Sequence, residues 1–238
     1  MSNPILNRAF DEAYPVRSRA TMTLEGTITR AALLFAILVV AAGWTWNLYF
    51  TGKSVSVYLN VGLIAGFITA LVIIFVRHLA PYLSPIYAAC EGLALGSISA
   101  LYQGLYNGIV SQAVLVTICI MGVMFFLYRT KIIRATRRFW IGVTAATFGV
   151  MLFYLIDIVL SFFNISVPYL NSGGVGGIIV SLVIIGIASL NLILDFDVIE
   201  KGVQSGQPKY MEWYAAFGLM VTLVWLYLEV LRLLSKRR

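Results

Sequence analysis

Residues 175–203 read VGGIIVSLVIIGIASLNLILDFDVIEKGV. From Val175 to Leu194 the run is almost wholly apolar, and about twenty such residues suffice for an α-helix to cross the hydrocarbon core of a bilayer. The run then arrives at two aspartates, Asp195 and Asp197. It is continuous rather than alternating, and far longer than a barrel strand needs. It therefore reads as a transmembrane helix with carboxylates at one end.

The same count along the chain gives spans at 31–50, 56–76, 85–105, 109–128, 140–163, 174–195 and 214–234. Composition agrees: of the 238 residues 61% are hydrophobic and 11% charged, where a soluble domain carries about 25% charged residues. The mean hydropathy is +0.92. The expectation is an all-α integral membrane protein with seven transmembrane helices. Residues 1–30 form a polar N-terminal segment and 31–238 a single seven-helix domain, with no room for a soluble one. The N-terminal segment lacks the short apolar core and small-residue cleavage site of a signal peptide, so the first span is expected to stay.

Basic residues set the expected orientation. Arg8, Arg17, Arg19 and Arg30 precede the first span, and the stretch RTKIIRATRR at 129–138 holds Arg129, Lys131, Arg134, Arg137 and Arg138. With Arg77, Lys201 and Lys209, twelve basic residues fall on the side of the N-terminus, and Lys53 stands alone on the other. The N-terminus is therefore expected in the cytoplasm. This bias accounts for the net charge of +7 without a nucleic-acid partner. Seven crossings put Lys236, Arg237 and Arg238 outside, against the rule, so the last helix either crosses regardless or re-enters. Crossing is the reading adopted.

Ionisable groups inside a bilayer are costly, face the bundle interior and mark function. The acids at or within spans are Glu91, Asp157, Asp195, Asp197 and Glu229, and the bases near them are Arg77 and Arg232. No lysine lies well inside a span, which argues against a retinal-type Schiff base. Cys90 and Cys119 form no metal spacing and His78 is the only histidine, so neither a structural metal nor a cofactor is expected. Acids outnumber bases, and none sits in a nucleophile–base arrangement. That suits cations or protons better than covalent catalysis.

Asp195 and Asp197 differ by about 200° around a helix, so they cannot face the same axis. One faces the bundle, the other the headgroups or a neighbouring loop. Arg77 ends the second span on the same side, so an Arg77–Asp195 pair is geometrically open. Glu91 opens EGLALG, where Gly92 and Gly96 allow close helix packing; Glu91 is then either a functional acid or a structurally paired one.

LDFDVI at 194–199 and WLYLEVLRLL at 225–234 resemble the Bax-inhibitor (transmembrane Bax inhibitor motif) family of membrane proteins. SNPILNRAF, MTLEGTITR, EGLALG and MEWYAAFGLMVTLVWLYLEVLRLL are most similar to its bacterial branch. The resemblance covers the whole chain. It implies six helices around a central seventh, and a calcium leak gated by protonation of a carboxylate pair, with an arginine of the second helix as latch. The D-x-x-x-I pattern selects Asp195, with Ile199 four later, and the acid after L-Y-L is Glu229. Asp197 is left at the cytoplasmic rim. Arg77 matches the latch by helix and depth only. Glu229 stands where the family has aspartate, and it lies 34 residues beyond Asp195. In a straight helix from Trp213 it would rise about 24 Å, near the depth of Asp157, so direct pairing of Asp195 with Glu229 stays open.

The expected function is a pH-sensitive cation (calcium) leak channel or transporter, with Asp195, Glu229 and Asp197 as ion-binding or pH-sensing residues. Glu91 and Asp157 are secondary acids. The alternative is a non-conducting membrane scaffold or regulator of other membrane proteins. An intramembrane aspartyl protease using Asp157 and Asp195 would show a G-x-G-D pattern, which is absent; no enzymatic activity is expected. The partners expected are the lipid bilayer and calcium or protons, and the location is a bacterial inner membrane.

Overall fold

The computed structural model describes residues 21–163 and 174–237. Arg8, Arg17, Arg19 and Arg238 lie outside the described residues. The described chain forms seven α-helices: α1 (Leu24–Phe50), α2 (Ser56–Phe75), α3 (Ala80–Leu105), α4 (Ile109–Arg129), α5 (Arg137–Phe162), α6 (Val175–Gln204) and α7 (Met211–Lys236). All except α3 are long and apolar enough to cross a membrane, by length and composition.

Each helix begins and ends for local reasons. Thr23 caps α1 by accepting a hydrogen bond from the Gly26 amide at 3.0 Å, and Thr136 does the same for the Phe139 amide of α5 at 3.3 Å, each satisfying a first-turn donor. A single 3-10 turn, Arg77–Leu79, joins α2 to α3. Pro81 falls in the first turn of α3, where its missing N–H costs nothing. Gly206, with φ +63°, makes the left-handed bend that separates α6 from α7.

The helices run past the limits that apolar counting sets. Counting stops at charged residues, but the backbone does not: DFDVIEKGVQ stays helical to Gln204, and α7 begins at Met211 rather than 214. The α7 helix is unbroken for 26 residues. Lys236 Nζ at its far end donates to Gly177 O at 3.1 Å and Ser181 Oγ at 2.9 Å in the first turns of α6. The two helices thus form a hairpin that is packed together from its turn to its far end.

The third helix, the exception, is rich in small residues. It packs along α1 on one side and α2 on the other. A Cβ at Gly92 would overlap Leu38 O, and one at Gly96 would overlap Ala42 O; backbones this close admit only glycine. α7 packs against α1, α3, α4 and α6, whereas α5 packs chiefly on α6. Ala216, Met220 and Leu226 of α7 are fully buried, together with Ala188 and Leu192 of α6.

Candidate functional site

The centre of the site is the α6–α7 interface. Asp195 lies on α6 opposite Gly218 of α7, with Oδ1 4.0 Å from where a Cβ would stand on that glycine. Thr222, one turn further along α7, has its hydroxyl close enough to interact with the Asp195 carboxyl. The residue as a whole is half-buried, but Oδ2 is sealed from solvent and has no hydrogen-bond partner. An acceptor oxygen stripped of water and left unpaired is costly. A proton, a cation or a hydrogen-bond donor would relieve it.

Asp197 has a different environment. Its Oδ2 accepts from Trp140 Nε1 of α5 at 2.7 Å and from Lys201 Nζ at 2.6 Å, and the residue is only 7% exposed. The open-rim position expected for it does not hold. Because α6 continues to Gln204, residue 197 is still on a packed helix, and its side chain lies against the first turn of α5.

Glu229 and Asp195 are not brought together. Gly218, opposite Asp195, precedes Glu229 by 11 positions, or about 16 Å along α7. Glu229 instead accepts from Tyr154 Oη of α5 at 2.6 Å and from Arg232 NH1 at 3.1 Å and 3.3 Å. The same guanidinium lies 5.1 Å from the Tyr154 ring. Glu229 is 2% exposed, so this is a closed, satisfied triad.

Arg77 is not paired with Asp195 either. It stands in the 3-10 turn after α2 and is exposed. Its guanidinium lies over the Tyr214 ring of α7, 5.4 Å from the centroid. Tyr214 is one turn before Gly218, so the cation reaches the helix that faces Asp195 but not the carboxylate. The ion pairs among the described residues are Arg30–Glu212, Lys201–Asp197 and Arg232–Glu229. Glu91 is half-buried; its carboxyl interacts with Tyr87 one turn earlier and lies 3.3 Å from where a Cβ would stand on Gly66 of α2. Asp157 is half-buried on α5, three positions after Tyr154.

Sequence reading passed over Glu212. It is 1% exposed and ties the start of α7 to the start of α1. Its Oε1 accepts from the Thr23 amide at 3.1 Å and the Thr23 hydroxyl at 3.0 Å. Arg30 NH2 approaches Oε2 at 3.8 Å, and the Arg30 guanidinium lies 5.3 Å from the Trp213 ring. Gly26 makes room, since a Cβ there would overlap the Glu212 carboxylate. Beside this clasp, Met22 N donates to Gln207 O at 2.7 Å. The available signal was periodicity: Glu212 shares a helix face with Ala215, Ala216 and Leu219, all buried.

The family described as Bax inhibitor 1 like matches residues 3–238. No curated protein and no solved structure matches the chain.

Proposed function

The chain belongs to the Bax inhibitor 1-like family, and on that premise we propose that it is a pH-sensitive cation leak channel or transporter of the bacterial inner membrane, with calcium as the transported ion. The observation that carries this reading is the Asp195 carboxyl, whose Oδ2 is sealed and unpartnered. A proton and a cation are both species that satisfy such an oxygen, and a gated leak needs both. α7 serves as the central helix, because the face it turns to α6 is where Asp195 meets Gly218 and Thr222. Arg77 acts as the latch through Tyr214, by holding α7 in place. Asp197, through Oδ2, and Glu229 already accept from protein donors and stabilise the bundle around the gate. The protein catalyses no covalent step and carries no cofactor.

The test is calcium flux into proteoliposomes at two pH values. Asp195→Asn should abolish the pH response, while Asp197→Asn should leave it in place. Equal effects from the two substitutions would remove the ground for choosing Asp195. The N-terminus faces the cytoplasm in this reading, and a reporter fused after Arg138 should read out as cytoplasmic.

A second reading is a non-conducting scaffold or regulator. It is favoured by the closed Tyr154–Glu229–Arg232 triad, which looks like packing rather than a cation path. Absence of flux from well-inserted parent protein at both pH values would select it.

A further inference from the structure

A groove of about 520 Å³ opens between α1 and α4, with α3 and α7 as its floor. Its α1 wall runs from Phe35 to Trp46 and its α4 wall from Val110 to Met121. Each wall covers 12 positions, a rise of about 16.5 Å of helix, which is close to the depth of one leaflet of a hydrocarbon core of about 30 Å. The lining is apolar except for Thr117 on the α4 wall and a pair of hydroxyls at one end. There Ser99 Oγ and Tyr227 Oη on the floor share a hydrogen bond of 2.7 Å. Two hydroxyls joined by one bond retain a second hydrogen to donate.

The polar end is the Trp46 end. α3 lies along α1 with Gly92 against Leu38 and Gly96 against Ala42, so Ser99 falls level with Thr45 and Trp46. The groove therefore differs along its length: a hydroxyl donor and an indole near the mouth of the leaflet, and towards mid-membrane hydrocarbon with the one hydroxyl of Thr117, which is spent on Ala113 O of its own helix.

We infer that this groove binds one acyl chain of a bilayer phospholipid, with the chain lying between Gly43 and Val114 and its ester carbonyl accepting from the Ser99–Tyr227 pair. A pocket of this size with few convergent polar groups is of the ordinary kind for one small ligand. Length, depth and polarity all fit an acyl chain entering from the leaflet at the C-terminal end of α1. Gly43 is the point of control, since a Cβ there meets nothing within 4 Å. A larger side chain at 43 grows into the groove without disturbing α3.

Native mass spectrometry of protein released from phosphatidylglycerol–phosphatidylethanolamine bilayers tests this. The parent should retain one phospholipid per chain. Gly43→Leu should lower that retention about tenfold. Gly149→Leu, on the exposed face of α5 where a Cβ also meets nothing within 4 Å, should retain it as the parent does. Val114→Phe fills the groove from the other wall and should repeat the loss if Gly43→Leu fails to fold. Equal retention in all variants, no retained lipid in the parent, or a detergent adduct only would overturn the inference. So would a parent dimer that Gly43→Leu disperses, because the occupant would then be a second copy of this chain.

Discussion

Asp195 and Gly218 face each other across the α6–α7 interface, the carboxyl Oδ1 4.0 Å from the position a side chain at 218 would occupy. Glycine leaves the carboxyl a space bounded by Thr222 and closed to solvent at Oδ2. Replacing Asp195 with asparagine removes the cost of an unpaired buried carboxylate, so at neutral pH the variant should be more stable by about 1–3 kcal/mol. Thermal unfolding in detergent checks this, and a less stable Asp195→Asn protein would mean that the carboxylate has a partner in the membrane.

The Glu212 clasp should be measurable by coupling. Glu212→Ala leaves the Thr23 amide and hydroxyl without their acceptor and costs about 1–3 kcal/mol. Gly26→Ala pushes a methyl group into that carboxylate and is also destabilising. The double variant should lose clearly less than the sum, because removing Glu212 removes the clash. Additive losses would show that the two residues do not touch.

For the triad, Glu229→Gln leaves Arg232 facing α5 without its counter-charge. Breaking a buried pair costs about 3–5 kcal/mol, and the 36% exposure of the Arg232 side chain places the expected loss at or below the lower end. Tyr154→Phe removes one hydroxyl and should cost about 1 kcal/mol. Both variants should keep the pH dependence of flux. A pH response lost in Glu229→Gln but kept in Asp195→Asn would move the sensor to α7.

Arg77 is predicted to act through Tyr214. Arg77→Ala should raise basal flux, most visibly at neutral pH, and converge with the parent in acid. Tyr214→Leu should reproduce that profile, since it removes the ring on which the guanidinium rests. A flat, parent-like profile for well-inserted Arg77→Ala would reduce the arginine to an anchor of the α2–α3 turn.

The helices were legible because a bilayer demands about twenty apolar residues at a stretch: the seven runs answer to seven helices, six of them long and apolar enough to cross a membrane. α3 shows the limit of that reasoning: Gly92 and Gly96 set it against α1, Gly62 sets it against α2, and it falls short of the apolarity of the other six. Asp195 was legible from its place after the apolar run and from its motif. The partners of Glu229 were not, because depth depends on where α7 starts. From Met211, Glu229 lies 18 positions up the helix, about 27 Å, beside Tyr154 rather than Asp195. Arg77 was placed at the right end of the right helix, but the turn after Phe75 carries it onto a ring. Glu212 went unread because it precedes the run that counting recognises, although its spacing to Ala215 and Leu219 marks the buried face.

The clasp between Thr23 and Glu212 also orders events during synthesis. Its two ends are 189 residues apart in the chain, so α1 leaves the ribosome long before its acceptor exists. Until α7 is made, the amide and hydroxyl of Thr23 have no carboxylate to bind, and the first helix is held at that end by the Met22–Gln207 bond without the clasp. A chain truncated before Met211 can contain six of the seven helices and still lack the clasp. The seventh helix thus completes the cap of the first from 189 residues away.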